Sequence, residues 1–444
     1  MGAARVRYIV GEAGRFMEAS SRMTKLLQSC DARCCLAAVA FWMAFASAPV
    51  GAESDAPQDG APQIESSEQE KTAPEFGPQT ARASATAARR YAQIAASGGW
   101  PRIAKLIGPG AKGEMILQLR RRLAAENLLS REDANEAVWD AKLEDAVKRF
   151  QAQVGLTQTG SLSSSTRREL NVPPAERARQ LEATAERLSK MKFGFPPRYV
   201  AVNIAAGDAE SVENGERIQR FNVIVGGRKH PSPQIVAKIL SVDINPTWTV
   251  PASIIKKELV PRLRRNPNYL AREHIRVLDG RGREINPRHL RGLSAARAAS
   301  FIFRQDPGPK NSLGSIRLSM PNREEVYMHD TPSKQLFERD YRFLSHGCVR
   351  VEGVYDLASW LLQEPGQPRQ WDPAALRNAV EEGKTWKIKV RPSVPVAWVY
   401  MTGWASPEGT AYFRRDVYKL DRGTPFRGKI PPQTVSQDSC RQSS

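Results

Sequence analysis

Apolar positions change their spacing midway along this chain. Met115, Leu119 and Leu123 fall in one helical stripe, and Leu143, Ala146, Val147, Phe150 and Val154 follow the i, i+3, i+4, i+7, i+11 pattern behind a capping Asp140. Gly155 to Leu162 then reads as a tight loop and the stretch to Leu170 as a short third helix. Pro173-Pro174 ends that unit, and Ala175 to Lys190 is a charged helical pattern suited to a strut between domains. From Arg198 the period shortens to two. Tyr199–Ile204, Phe221–Val225 and Val236–Ile244 are β-rich runs separated by Gly, Asn and Pro clusters. Glu325 to His329 continues the alternation, with Tyr327 and His329 on one face and Val326 and Met328 on the other. Val349 and Val351 alternate likewise, so Cys348 and Arg350 point together, away from the apolar side. Val354, Leu357, Ala358 and Leu361 make a helical stripe, and Val396–Met401 and Phe413–Tyr418 read as two late strands. The class predicted is α+β, a helical unit followed by a sheet-based domain. Between about Pro251 and Leu313 the β pattern is interrupted by helical and irregular texture carrying the basic stretches Arg262–Arg265 and Arg281–Arg283, and segments of this length without a role are uncommon.

At 444 residues the chain exceeds one ordinary core, and two or three units are expected. Its 41% hydrophobic and 25% charged residues fit a soluble protein. The N-terminal region reads as a secretory signal: Arg22, Lys25 and Arg33 precede the apolar stretch Cys34–Ala46, and Val50-Gly51-Ala52 offers small residues at the cleavage positions. Cleavage after Ala52 and a periplasmic location are expected, with an uncleaved membrane anchor as the alternative. Removing residues 1–52 takes six Lys/Arg and three Asp/Glu, so the net charge falls from +19 to +16 and still favours anionic partners. Export argues against nucleic acid. Only Cys348 and Cys440 then remain, which is no disulfide framework. Residues 53–86, rich in Ala, Pro, Gln, Glu and Ser, are expected as a flexible linker, and residues 422–444 as a disordered tail.

The chemistry concentrates on Ser345-His346-Gly347-Cys348-Val349-Arg350, with His329 upstream. A thiol is a nucleophile as its thiolate, and an imidazole in reach can take its proton. His329-Asp330 followed by Ser345 to Arg350 resembles the active-site signature of the YkuD-type L,D-transpeptidases. Asn245–Pro251, Asn311–Gly314, Met328–Pro332 and Ser345–Glu352 resemble the larger, YcbB-like branch, and the likeness runs from roughly Ala88 to Asp421. The resemblance implies a β-rich YkuD-type domain over residues 198–421, with a capping insertion at 251–313. It implies a small three-helix peptidoglycan-binding-like domain over 87–172 and a connecting helix at 173–197.

The same resemblance implies a reaction on peptidoglycan stem peptides. Cys348 would attack the carbonyl before the terminal D-Ala of a tetrapeptide, and an amine would resolve the thioester to a 3-3 cross-link. His329 would be the base, Ser345 would orient it through its carbonyl, and backbone N–H groups near Gly347 and Cys348 would hold the oxyanion. Arg350 would order the site or bind a carboxylate, His346 would position the loop, and Tyr327 and Trp248 would be walls of the cleft. No metal or cofactor is required. Expected partners are peptidoglycan stems and glycan, with carbapenems as acylating inhibitors. Water as acceptor would make an L,D-carboxypeptidase, and an outer-membrane protein amine would make a ligase. A non-catalytic wall-binding protein is the reading from another class. His230, His274 and His289 show no ligand spacing and receive no role.

Overall fold

The computed structural model describes residues 73–286 and 294–421. The leader and its cleavage site, the linker up to residue 72, His289, the tail from residue 422 and Cys440 lie outside the described residues. No helix among the described residues is long and apolar enough to cross a membrane.

Three helices build the small unit: α2 (Glu114–Ala124), α3 (Ala141–Gln153) and α4 (Ser164–Leu170). Asp140 caps α3 by accepting the Leu143 N–H, and Ser163 caps α4 in the same way from Thr166. The α3 stripe is buried as its spacing requires, but the α2 stripe is Ile116, Leu119 and Leu123. Met115 is exposed, one residue off the buried face. Two longer helices, α1 (Thr80–Ala96) and α5 (Pro174–Lys190), pack on each other through Ala87, Ala88, Tyr91, Ala178 and Leu181, together with Phe413.

The linker expectation for 73–86 is therefore corrected. Phe76 is buried among Phe193, Phe195 and Tyr199. The Glu75 and Phe76 N–H groups donate to the Glu210 carboxylate, and Tyr199 Oη donates to the Phe76 carbonyl. One aromatic, two backbone donors, the Glu75–Arg220 ion pair and the first turns of α1 seat a segment whose composition alone reads as unstructured.

The strands are β1 (Arg198–Asn203), β2 (Asp208–Glu213), β3 (Glu216–Gly226), β4 (Ile235–Ile244), β5 (Trp248–Thr249), β6 (Ile275–Leu278) and β7 (Ile302–Gln305). They continue as β8 (Ile316–Ser319), β9 (Met328–His329), β10 (Phe343–Ser345), β11 (Val349–Val351), β12 (Trp386–Val399), β13 (Gly403–Ala405) and β14 (Ala411–Phe413). Nine of them form one sheet in the order β10-β3-β11-β9-β8-β4-β12-β1-β2, and β2 also pairs with β3, so the sheet closes on itself. Its inner face carries Val200, Val223, Val242, Leu318, Met328, Val349 and Val396, packed against Leu357 and Leu361 of the helix Val354–Leu362. The expected strand at 325–329 is ladder only at Met328–His329, and the late strand ends at Phe413 rather than Tyr418.

The 251–313 insertion holds more sheet than its sequence texture suggests. After helical turns from Ala252 to Arg265, β6 and β7 pair with each other and β7 with β5. Ile255, Leu259, Leu263, Leu270, Val277 and Phe303 give it a core of its own.

Candidate active site

Sheet register places the site. In the parallel pair β11–β9, Arg350 is opposite His329 and Val349 opposite Met328. Because side chains alternate, Val349, Val351 and Met328 enter the core, while Cys348, Arg350, Tyr327 and His329 share the other face. All four line one cleft of about 1110 Å³, which also reaches Trp248, Ser345 and His346.

The electrostatics of the four follow from burial. Cys348, half-buried, has its thiol pushed up by desolvation; the Tyr327 backbone N–H and phenol beside its sulfur, and Arg350, pull the other way. His329 is buried and lowered to about 3, by desolvation first and then by the Arg350 guanidinium, against the carbonyls of Asp330 and Leu313. Its ring stands edge-on to Tyr327 at 5.6 Å. Near neutral pH the site thus holds a neutral imidazole and a protonated thiol rather than an ion pair. Burial raises the Tyr327 phenol too, with the Trp248 indole bonded to it. Arg350 has its Nε buried without a partner, and no carboxylate pairs with it among the described residues. Desolvation lowers its pKa, the mark of a cation held where water cannot solvate it well.

The loop before the thiol is tied down locally. Ser345 Oγ donates to the Cys348 carbonyl at 2.5 Å and accepts the Gly347 N–H at 3.1 Å, while Ser232 Oγ donates to the Gly347 carbonyl. Gly347 sits at φ +114°, a conformation that favours glycine. Two expectations are corrected here. The Ser345 carbonyl accepts from Gly227 rather than from His329, whose Nδ1 has no partner among the described residues. The Gly347 N–H is used within the loop, which leaves, of the two expected donors, the Cys348 N–H without an acceptor among the described residues.

His346 reaches outward instead of bracing its own loop. Its Nε2 lies 2.6 Å from Glu258 of the insertion, and its ring stacks on His230 at 5.0 Å. His230 received no role from sequence, because a stacking partner leaves no spacing signal. Trp248 lines the cleft and also packs against the insertion's core. Behind His329, Asp330 accepts the Ser315 N–H and pairs with Lys334. Gly314 stands at φ +62°, where a Cβ would come within 2.4 Å of the Asp330 carboxylate, so the turn admits only glycine. Sequence reasoning missed Arg317, Asp243, Glu258 and Lys387 as cleft residues. Arg317, Asp243 and Lys387 share the site through strand pairing far along the chain and Glu258 through the insertion, and no local motif announces either.

Residues 197–390 match the L,D-transpeptidase catalytic domain of the YkuD family, and residues 112–170 match the "Putative peptidoglycan binding domain". The chain carries a YkuD-type L,D-transpeptidase domain preceded by a peptidoglycan-binding-type helical domain. A "Putative L,D-transpeptidase" from Haemophilus influenzae is 32% identical over 223 residues, covering 50% of this chain and 44% of that protein. The chain thus spans less than half the length of that curated relative. Among solved structures, an L,D-transpeptidase from Stackebrandtia nassauensis overlaps 67% of this chain and 96% of its own, at 13% identity and a TM-score of 0.25. One from Xylanimonas cellulosilytica overlaps 67% and 99%, at 13% identity and a TM-score of 0.22.

Proposed function

We propose that the cleft performs L,D-transpeptidation on peptidoglycan through a thioester on Cys348. The Cys348 sulfur attacks the carbonyl between diaminopimelate and the terminal D-Ala of a tetrapeptide stem. The thiol proton passes to His329 and from there to the leaving nitrogen. The C–N bond breaks and D-Ala departs as the amine. An amine of a second stem then attacks the thioester and gives its proton to His329. The C–S bond breaks, and the sulfur recovers that proton. Splitting amide exchange this way replaces one high barrier by two lower ones.

One observation carries the reading: Cys348, Tyr327, His329 and Arg350 share a sheet face at one cleft, and the Arg350 cation has no carboxylate partner among the described residues. A carboxylate of the stem seated on Arg350 would remove that cation's depression of His329, making the imidazole a stronger base once substrate is bound. The Cys348 N–H is the donor left for the oxyanion. The helical domain would hold glycan, the protein would act in the periplasm after loss of its leader, and a carbapenem would acylate Cys348. The test is mass spectrometry of tetrapeptide muropeptides incubated with purified protein. Cross-linked dimers and free D-Ala are expected; tripeptides alone would mean a carboxypeptidase, and protein adducts a ligase. No D-Ala release and no acyl-enzyme would overturn the reading.

A further inference from the structure

One row of side chains crosses the sheet directly from the site. Arg350 on β11 is opposite His329 on β9, His329 is opposite Arg317 on β8, Arg317 is opposite Asp243 on β4, and Asp243 is opposite Lys387 on β12. Every member of this row lines the cleft. Its middle is internally neutralised: Arg317 Nη2 and Nε lie 2.6 and 3.0 Å from Asp243 Oδ2, and Ser241 Oγ donates to Asp243 Oδ1. Its two ends are not. Arg350 and Lys387 have no carboxylate partner among the described residues. The carboxylates lining the same cleft, Glu258, Glu273, Glu324 and Glu325, lie on the insertion and in the loop before β9, off the row.

Four strand spacings separate β11 from β12, roughly 19 Å at about 4.8 Å each, or about six residues of extended peptide. One amino acid cannot reach both ends. The Cys348 end belongs to the acyl donor, whose other limb of the cleft is apolar and aromatic under the insertion, with Trp248, Ile254, Leu259 and Tyr269.

We infer that the row from His329 to Lys387 is the acceptor arm of the cleft, built for a carboxylate-bearing peptide amine, and that Lys387 is its specificity-determining cation. The acceptor nitrogen meets the thioester beside His329. Its chain then runs over Arg317, and a carboxylate further along pairs with Lys387. This rests on the transpeptidase reading, since only a second, anionic peptide gives the far cation a task. Lys387 acts on which nucleophile reaches the thioester, without touching the acylation step.

The experiment compares Lys387→Glu, Lys387→Arg and Lys384→Glu, the last an exposed lysine that does not line the cleft. Each is given a tetrapeptide donor and a tripeptide acceptor with free or amidated carboxylates, and folding is checked by melting temperature. In Lys387→Glu the ratio of transfer to hydrolysis is expected to fall roughly three- to tenfold with the free-carboxylate acceptor, the scale of reversing one exposed charge contact. The ratio rather than total D-Ala release is the readout: Lys387→Arg should retain most of it, Lys384→Glu should match wild type, and the amidated acceptor should erase the difference. An unchanged ratio, or an equal fall with both acceptors, overturns the assignment. Acceptor affinity for Cys348→Ala, read by NMR titration, tests the arm without turnover: Lys387→Glu in that background should weaken it by a similar factor. If wild type releases no D-Ala, the transpeptidase reading fails, while the titration still decides whether Lys387 holds an anionic peptide.

Discussion

Arginines withdrawn from water are treated in opposite ways in the helical part of this molecule and at its cleft. In the helical domain Arg122 is fully buried, yet it pairs with Glu126 at 2.6 Å, donates to the Leu170 carbonyl and lies 3.6 Å over Trp100. Arg177 on α5 is similar, with Glu169 at 2.8 Å and Phe413 under its guanidinium. Arg350, half-buried on the nine-stranded sheet, has no such carboxylate among the described residues and depresses His329 besides. Stability alone would not leave a desolvated cation unpaired, because the uncompensated charge costs several kcal/mol. The helical part's cations complete a fold. On the proposed function, the cleft's cation is left for a ligand's charge.

Mutation should separate the two kinds. The largest effect is expected at the base: His329→Ala should slow D-Ala release by about a hundred- to ten-thousandfold while Cys348 stays titratable by a thiol reagent. Arg350→Ala should cost roughly a hundredfold in acylation, as for removal of a charge-stabilising donor, and leave the urea midpoint level or higher. Arg122→Ala should do the reverse. It strands the Glu126 carboxylate, 3% exposed and otherwise bonded to Tyr91, and should lower unfolding free energy by about 3–5 kcal/mol with acylation intact in the folded fraction. Replacing both partners, Arg122→Met with Glu126→Leu, should recover most of it. Were Arg350→Ala as destabilising as Arg122→Ala, the contrast would collapse.

A smaller effect is the dependence of stability on pH. His329 falls from 6.5 to about 3 on folding, so between those values the unfolded chain binds the extra proton and stability rises with pH. Burial, with Glu75 beside it, raises Glu210 from 4.5 to about 7, so over that window the folded chain binds the extra proton and stability falls with pH. From about pH 4.5 to 6.5 the two slopes oppose each other. Melting curves should therefore show His329→Ala losing stability as pH rises there and Glu210→Gln gaining it. A variant slope of the opposite sign would refute the assignment.

The floor of the site was legible in sequence because its information is local. Two alternating strands with one apolar face already force Tyr327, His329, Cys348 and Arg350 to the other side, whatever the tertiary fold. What the sequence hid depends on pairing over long separations. Asp243, Arg317 and Lys387 reach the cleft only through register across β8, β4 and β12. The Glu258–His346 contact needs the insertion folded over the loop. Short segments misled in the other direction: Phe76 is one aromatic in a polar stretch, and its burial depends on Glu210, distant in sequence, accepting its N–H. Strand β2 (Asp208–Glu213) was not recognised, because Asp208, Glu210 and Ser211 are buried polar residues that break the expected pattern.

The central claim is that Cys348 is the atom acylated, with Arg350 and His329 arranged around it. Intact-mass spectrometry of the purified protein with a tetrapeptide stem or a carbapenem tests it directly, in wild type, Cys348→Ser and Cys440→Ser. The account predicts one adduct in wild type and in Cys440→Ser and none in Cys348→Ser, with D-Ala release lost in step. An adduct that persists in Cys348→Ser and vanishes in Cys440→Ser would contradict it.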